Sequence, residues 1–310
     1  MKSTTSMIAL ACAFTLGLGA CSSTPVEQES GALKVVTSVY PIDFIASEIG
    51  GATIQIQNMT PPGVEPHDLE LTPSQIIALD QADLLIYFSG FQPSLEKAAE
   101  LSPPKNIMNV LTLKKIKLID LAAGSHNHTE ETASTPGEGL SDPHIWLDPQ
   151  RLSILVNEVA AKFKALDPSN ANSYETNRIS LTKRLNELDK NFIGGLKTCE
   201  RRLIVTSHAA FGYLADAYGL EQEAISGLSP ESEPTPKRLN EIRKEAMADG
   251  TTTIFFETLA SPKVAQTLAD DLNISAAVLD PLEGVRKGQT YFSVMEQNLG
   301  ALRKALSCHP

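Results

Sequence analysis

From residue 33 to the C-terminus, short apolar runs of β character alternate with longer runs of helical periodicity, and no other feature narrows the possible folds as much. Residues 34–38 read as a strand and 42–49 as a helix. Residues 53–59 are β-like, with Ile54 and Ile56 alternating with polar partners. A helix opens at Pro73 with Thr72 as its cap. Residues 83–88 form a buried strand, and 107–111 add another β run. Between 124 and 142, Gly, Ser, Thr, Glu and Pro mark a loop. Regular structure resumes at 144–147, and a helix runs from 149 to 166. Residues 167–198 begin with the start signal Asp167-Pro168-Ser169 and hold no further proline. Ile179, Leu181, Leu185, Leu188 and Phe192 recur there at helical spacing. A helix of about thirty residues would span about 45 Å, enough to cross a small domain. The α/β pattern then restarts, with strands at 203–206, 223–226, 252–257 and 275–279 and helices at 208–218, 236–249, 262–271 and 291–306. Such alternation predicts mostly parallel sheets flanked by helices. The expected fold class is α/β, with two lobes (33–166 and 199–310) joined by one long helix (167–198). No internal repeat is visible, although both halves follow one architecture.

The first twenty residues read as a targeting segment. Lys2 supplies a positive start, and residues 7–20 are almost wholly apolar and uncharged. That run is shorter than the about 20 residues a spanning helix needs and suits a secretory signal peptide. Leu18-Gly19-Ala20-Cys21, followed by the polar Ser22-Ser23-Thr24-Pro25, resembles a bacterial lipobox. The resemblance implies cleavage before Cys21 and acylation of its thiol, with residues 21–32 as a tether. The expected location is extracytoplasmic, lipid-anchored to a membrane. Of four cysteines, Cys12 falls in the removed segment and Cys21 carries lipid, which leaves Cys199 and Cys308. An even pair in an oxidising compartment predicts a disulfide. Removing residues 1–20 removes Lys2 alone and takes the formal net charge down by one, from −11 to −12. That acidity argues against nucleic acid as a partner and, with no polybasic patch, leaves anchoring to the lipid. The remaining 290 of 310 residues are too many for one small core, which again points to two lobes.

Histidine is scarce, six residues in all. Three of them, His67, His144 and His208, adjoin a β run and precede a helix, the kind of position at which open α/β folds bind ligands. Their contexts are Glu65-Pro66-His67-Asp68, Asp142-Pro143-His144-Ile145-Trp146-Leu147 and Ser207-His208-Ala209-Ala210-Phe211. A fourth segment, Leu279-Asp280-Pro281-Leu282-Glu283, offers two carboxylates, Asp280 and Glu283. Imidazole nitrogen and carboxylate oxygen suit zinc, at about 2.0–2.2 Å in tetrahedral geometry.

These four motifs, in this order, together with Ile225-Ser226-Gly227-Leu228-Ser229-Pro230-Glu231-Ser232-Glu233-Pro234, resemble the zinc/manganese (cluster A-I) substrate-binding lipoproteins of ABC metal importers. The likeness covers essentially all of residues 33–306 and is greatest to the zinc-binding members. It implies a metal site in the cleft between the lobes, with His67 and His144 from the first lobe and His208 plus a carboxylate from the second. Relatives carrying manganese usually place a carboxylate where His208 stands, so histidine there favours Zn2+ as cargo, with Mn2+ the alternative. Asp280 and Glu283 both remain candidates for the fourth ligand, one binding and the other orienting a neighbour. The implied partner is a cognate ABC permease, and the implied state is a monomer. The loop with His126 and His128 resembles a shortened form of the His-rich loop of zinc-specific relatives. A solvated loop is the equal alternative. Glu231 and Glu233 read as a solvated acidic loop. No enzyme is expected: there is no His-Glu-x-x-His helix, and a closed ligand set leaves no place for an activated water. A metal-containing adhesin is the other alternative.

Overall fold

The first lobe is organised by β1 (Leu33–Thr37), whose Val35 and Val36 are buried on opposite faces. The structure is a computed structural model and describes residues 31–119 and 141–309. The expected signal segment, Cys21, the tether up to residue 30 and the loop with His126 and His128 lie outside the described residues. β1 pairs in parallel with β2 (Ile54–Asn58) on one side and β3 (Leu84–Tyr87) on the other, and β3 pairs with β4 (Ile107–Asn109). The order is β2-β1-β3-β4. The inner strands are near-continuous apolar runs because helices cover both faces, whereas edge strand β2 turns Gln55 outward.

Helix α1 (Tyr40–Gly50) buries Ile42, Ile45, Ala46 and Ile49. Helix α2 (Pro73–Asp80) opens with a capping box in which Thr72 and Gln75 satisfy each other's backbone donors. Helix α3 (Pro93–Leu101) was not expected from the sequence pattern. It is short and its exposed residues mask the periodicity. Helix α4 (Pro149–Leu166) is capped by Asp148, which accepts from Gln150 N at 2.8 Å.

The long helix α5 is Ala171–Leu196, a few residues shorter than the pattern suggested. Pro168–Asn170 forms a 3-10 turn before it, and at 1.5 Å per residue the helix itself spans about 39 Å. The second lobe repeats the first: β5 (Leu203–Thr206), β6 (Glu221–Ala224), β7 (Thr253–Phe256) and β8 (Ser275–Val278) form a parallel sheet in the order β6-β5-β7-β8. Its helices are α6 (Gly212–Tyr218), α7 (Pro236–Asp249), α8 (Lys263–Leu272) and α9 (Tyr291–Ala305). Two expectations shift. β6 begins two residues early, so that Leu220 and Ile225 flank it, and α6 starts at Gly212 rather than 208. The four residues freed from α6 form the loop that carries His208.

One continuous apolar core runs through both lobes. It includes Ile45, Trp146, Phe163, Leu185, Phe192, Tyr213 and Tyr291. Phe44 of α1 stacks on Tyr291 of α9 at 5.0 Å, so the closing helix is packed against the first lobe. Smaller clusters cover the outer face of each sheet, around Leu79 and Leu85 in one lobe and Ile242 and Ile254 in the other. Among the described residues no helix is long and apolar enough to cross a membrane.

A disulfide joins Cys199 to Cys308 across 109 residues, as expected. It ties the C-terminus to the segment leaving α5. Closing so long a loop removes much denatured-state freedom, so Cys308→Ser should lower stability by about 2–5 kcal/mol. Urea denaturation of the variant against the parent checks this, and equal midpoints would refute it.

Candidate metal centre

The carboxyl ends of both sheets face one buried spot. His208 follows β5 by two residues, Glu257 directly follows β7, and Glu283 lies in the turn after β8. From the first lobe come His67, in the loop between β2 and α2, and His144, just ahead of the 3-10 turn Ile145–Leu147. His144 and His208 are 0% exposed and Glu283 1%, while His67 is half-buried.

Three imidazole nitrogens converge on a single carboxylate oxygen. Glu283 Oε1 lies 3.3 Å from His67 Nε2, 3.1 Å from His144 Nε2 and 3.4 Å from His208 Nε2. One ligand-type atom from each of these four residues lies within 4.8 Å of all the others. The contact from His208 is out of line for a hydrogen bond, so that buried nitrogen has no hydrogen-bond partner among the described residues. A tetrahedron with metal–ligand bonds of about 2.0–2.2 Å has edges of about 3.3–3.6 Å. Two of the three Nε2–Oε1 separations fall within that range and the third, 3.1 Å, is slightly shorter, and the donor set, three nitrogens and one oxygen, suits a borderline-soft divalent ion.

Of the two carboxylates expected near the site, the structure brings only Glu283 into the cluster. Asp280 instead accepts from Leu282 N at 2.8 Å and from Thr258 Oγ1 at 2.8 Å. Its carboxylate closes a tight turn, and Leu282 adopts φ 61° within it, a left-handed conformation rare for a branched side chain. That turn aims Glu283 inward. Asn298 of α9 holds both backbone polar groups of Asp280, at 2.9 and 2.7 Å. Asp280 is therefore placed as a shaper of the turn rather than as a member of the cluster.

Two further carboxylates orient the imidazoles from behind. Asp142 Oδ1 accepts from His144 Nδ1 at 2.7 Å and from His144 N at 2.9 Å. Glu257 accepts from His208 Nδ1 and from Ser207 Oγ. Such partners fix the ring orientation and strengthen the imidazole as a donor. Sequence reasoning quoted Asp142 without a role and missed Glu257. The available signal was a buried acid at the carboxyl end of an otherwise apolar strand. Gly212 makes room for Asp142, since a Cβ there would lie 3.0 Å from Asp142 Oδ2.

Three aromatic side chains lock the lobes around this centre. Trp146 Nε1 donates to Pro281 O at 2.7 Å, Tyr291 OH to Trp146 O at 2.7 Å and Tyr213 OH to Asp142 O at 3.0 Å. Each crosses between lobes beside a residue of the cluster.

Proton affinities follow from these contacts. Burial by itself opposes charge on Glu283, but hydrogen bonds from His144 and His67 and the nearby charge of His208 outweigh it and hold the carboxyl well below its usual range. Burial likewise opposes a proton on His208, yet Glu257 and Glu283 overcome it and raise the pKa to about 10. His144 is raised as well: burial is outweighed by Asp142 and Glu283. Glu65 at the cleft mouth is pushed up to about 7 by burial and by the charge of Glu283.

Fold and cluster together define a two-lobed binding protein whose ligand site lies where the carboxyl ends of two parallel sheets meet. The comparisons narrow this further. The model of the family described as the periplasmic component A of the zinc-uptake complex matches residues 35–305, and the chain belongs to that family. It is 34% identical to the high-affinity zinc uptake system protein ZnuA of Bacillus subtilis, over 90% of this chain and 89% of that protein. It is 33% identical to the zinc-binding lipoprotein AdcA of Streptococcus pneumoniae over 98% of this chain, and spans 61% of the length of that relative. The crystal structure of the Zn(II)-bound ZnuA-like domain of Streptococcus pneumoniae AdcA superposes with a TM-score of 0.72. It is 32% identical over 89% of this chain and 99% of that domain.

The stability of the protein stripped of metal should depend on pH in a defined way. The pKa of His208 is raised on folding from 6.5 to about 10, so its stabilisation is fully present below about 6.5 and disappears as pH rises through 10. Within that window stability should fall by about 1.4 kcal/mol per pH unit for this one proton. Urea denaturation of chelator-treated protein at pH 7, 8 and 9 checks the slope. Glu257→Gln should flatten it.

Proposed function

We propose that this protein captures one Zn2+ ion through His67, His144, His208 and Glu283 and delivers it to the permease of an ABC importer. The observation that carries this reading is the convergence of three Nε2 atoms, two of them fully buried, on one Glu283 oxygen at 3.1–3.4 Å, close to tetrahedral-edge distances. Four protein ligands would close the inner shell and leave no position for an activated water, which suits capture and release rather than catalysis. Three imidazoles with one carboxylate favour Zn2+ over Mn2+. The relatives, a zinc-binding lipoprotein, a zinc uptake protein and a Zn(II)-bound domain, support the same cargo.

Delivery requires a location outside the cytoplasm. By this reading residues 1–20 are a lipoprotein signal peptide and 21–32 a tether with lipid on Cys21. Residues 33–166 and 199–310 are then the two lobes, with 167–198 as the linking helix. The continuous core and the cross-lobe hydrogen bonds resist wide hinge bending, so release on the permease would proceed through small shifts of loops and of the second lobe.

The direct test is competition titration of the mature protein with a chromophoric zinc chelator. His144→Ala and Glu283→Ala should each weaken zinc binding by about a hundredfold or more, since each removes one of four ligands. Zinc should outcompete Mn2+ for the parent protein. Variants that bind as tightly as the parent, or a preference for Mn2+, would defeat the reading.

The pH dependence has a fixed sign. Zinc must displace the Nε2 proton of His208, whose pKa is raised to about 10, so affinity should rise with pH. The expected gain between pH 6 and 8 is about tenfold per unit for each proton released. A pH-independent affinity across that range would contradict it.

A further inference from the structure

The three imidazoles are not held alike. His144 and His208 each have Nδ1 fixed by a buried carboxylate, Asp142 and Glu257. Among the described residues no side-chain carboxylate is hydrogen-bonded to His67 Nδ1, and His67 sits on a loop rather than directly at a strand end. That loop is exposed along residues 61–64, with two prolines and Gly63 at φ 82°. Something else must keep His67 in register with its partners, because a shift of about 1 Å would take Nε2 out of bonding range of an ion held by the other three.

We infer that Gln92 is the positioning residue for His67. Its side chain is 1% exposed. Nε2 donates to Thr60 Oγ1 at 2.8 Å and to Pro66 O at 3.1 Å. These two acceptors bracket the stretch 61–65, whose residues 61–64 are exposed, so one amide clamps both stems of the loop. The Pro66 carbonyl can only accept, which forces the NH2 end of Gln92 towards it. Oε1 is left buried with no hydrogen-bond partner among the described residues, so the amide is held there for its two donors. Thr60 Oγ1 passes the restraint on, donating to Ser38 O at the end of β1 at 2.7 Å. On the other side Gln92 is the residue at the start of α3, and its carbonyl accepts from Glu96 N at 3.1 Å. The neighbouring Phe91 ring meets the His67 ring edge-on, with centroids 4.5 Å apart. The two residues leading into α3 thus grip His67 twice: Phe91 by its ring, and Gln92 through the carbonyl that immediately precedes the histidine.

This assignment rests on the metal centre proposed above, and a thermodynamic cycle separates the two. Gln92→Met keeps the side-chain length and removes both donors. It should weaken zinc binding by about 10- to 100-fold in the parent background, as loss of an orienting partner does elsewhere. In a His67→Ala background the same change should cost less than about twofold, because the residue it positions is gone. Thr60→Val, which removes one end of the clamp, should behave in the same way and serves if Gln92→Met folds poorly. Leu79→Ala, in the outer core of the same lobe, controls for stability: it should lower the melting temperature and leave zinc affinity within about twofold. Parent-like affinity in both Gln92→Met and Thr60→Val, or an equal loss with and without His67, would overturn the inference. Parent protein that takes up no zinc would overturn the metal centre and the inference with it.

Discussion

A buried carboxylate facing three imidazoles is the interaction on which the rest of this structure turns. Glu283 is almost wholly removed from water, where an unpaired charge is expensive. It is tolerated because His67 and His144 hydrogen-bond the same oxygen through Nε2 and His208 Nε2 lies 3.4 Å from it. With Asp142 and Glu257 behind two of the rings, the imidazoles of His144 and His208 stand between carboxylates on both sides. Protons can satisfy that arrangement, and so can one divalent cation at its centre. In the proposed role, competition between the two would link the affinity of the site to pH.

The fold supplies the convergence by repeating one device. Each lobe is a four-stranded parallel sheet with its first strand near the middle, and the carboxyl ends of both sheets point to the same place. Backbone detail finishes the aim: the left-handed Leu282 turns Glu283 inward, and Gly212 leaves space for Asp142. Trp146, Tyr213 and Tyr291 then tie the lobes together with hydrogen bonds to backbone carbonyls next to the cluster. Because apolar packing also runs unbroken from one lobe to the other, the site is assembled in a largely preformed state.

Much of this was legible in the amino-acid sequence. Alternating apolar and helical runs announced both sheets, and α4 and α7 fall on the predicted residues because proline starts and periodic apolar faces mark them. The Cys199–Cys308 pairing followed from compartment and parity. Other features were hidden for physical reasons. Helix α3 is nine residues long and has little apolar signal, yet Phe91 and Gln92, which hold the His67 segment, lead directly into it. The start of α6 was read four residues early because the loop from His208 to Phe211 has helical composition but is spent on presenting the histidine. Asp280 and Glu283 could not be told apart in one dimension, since only the turn geometry shows which carboxylate faces the imidazoles. Glu257 was passed over because a single acid ending a strand looks like a boundary residue until His208 is seen against it.

X-ray absorption at the zinc edge of the zinc-loaded, mature protein tests the central claim most directly. Four light-atom neighbours at about 2.0–2.2 Å are expected, with the outer-shell scattering of three imidazole rings. A six-coordinate shell, or scattering from fewer than three imidazoles, would contradict it.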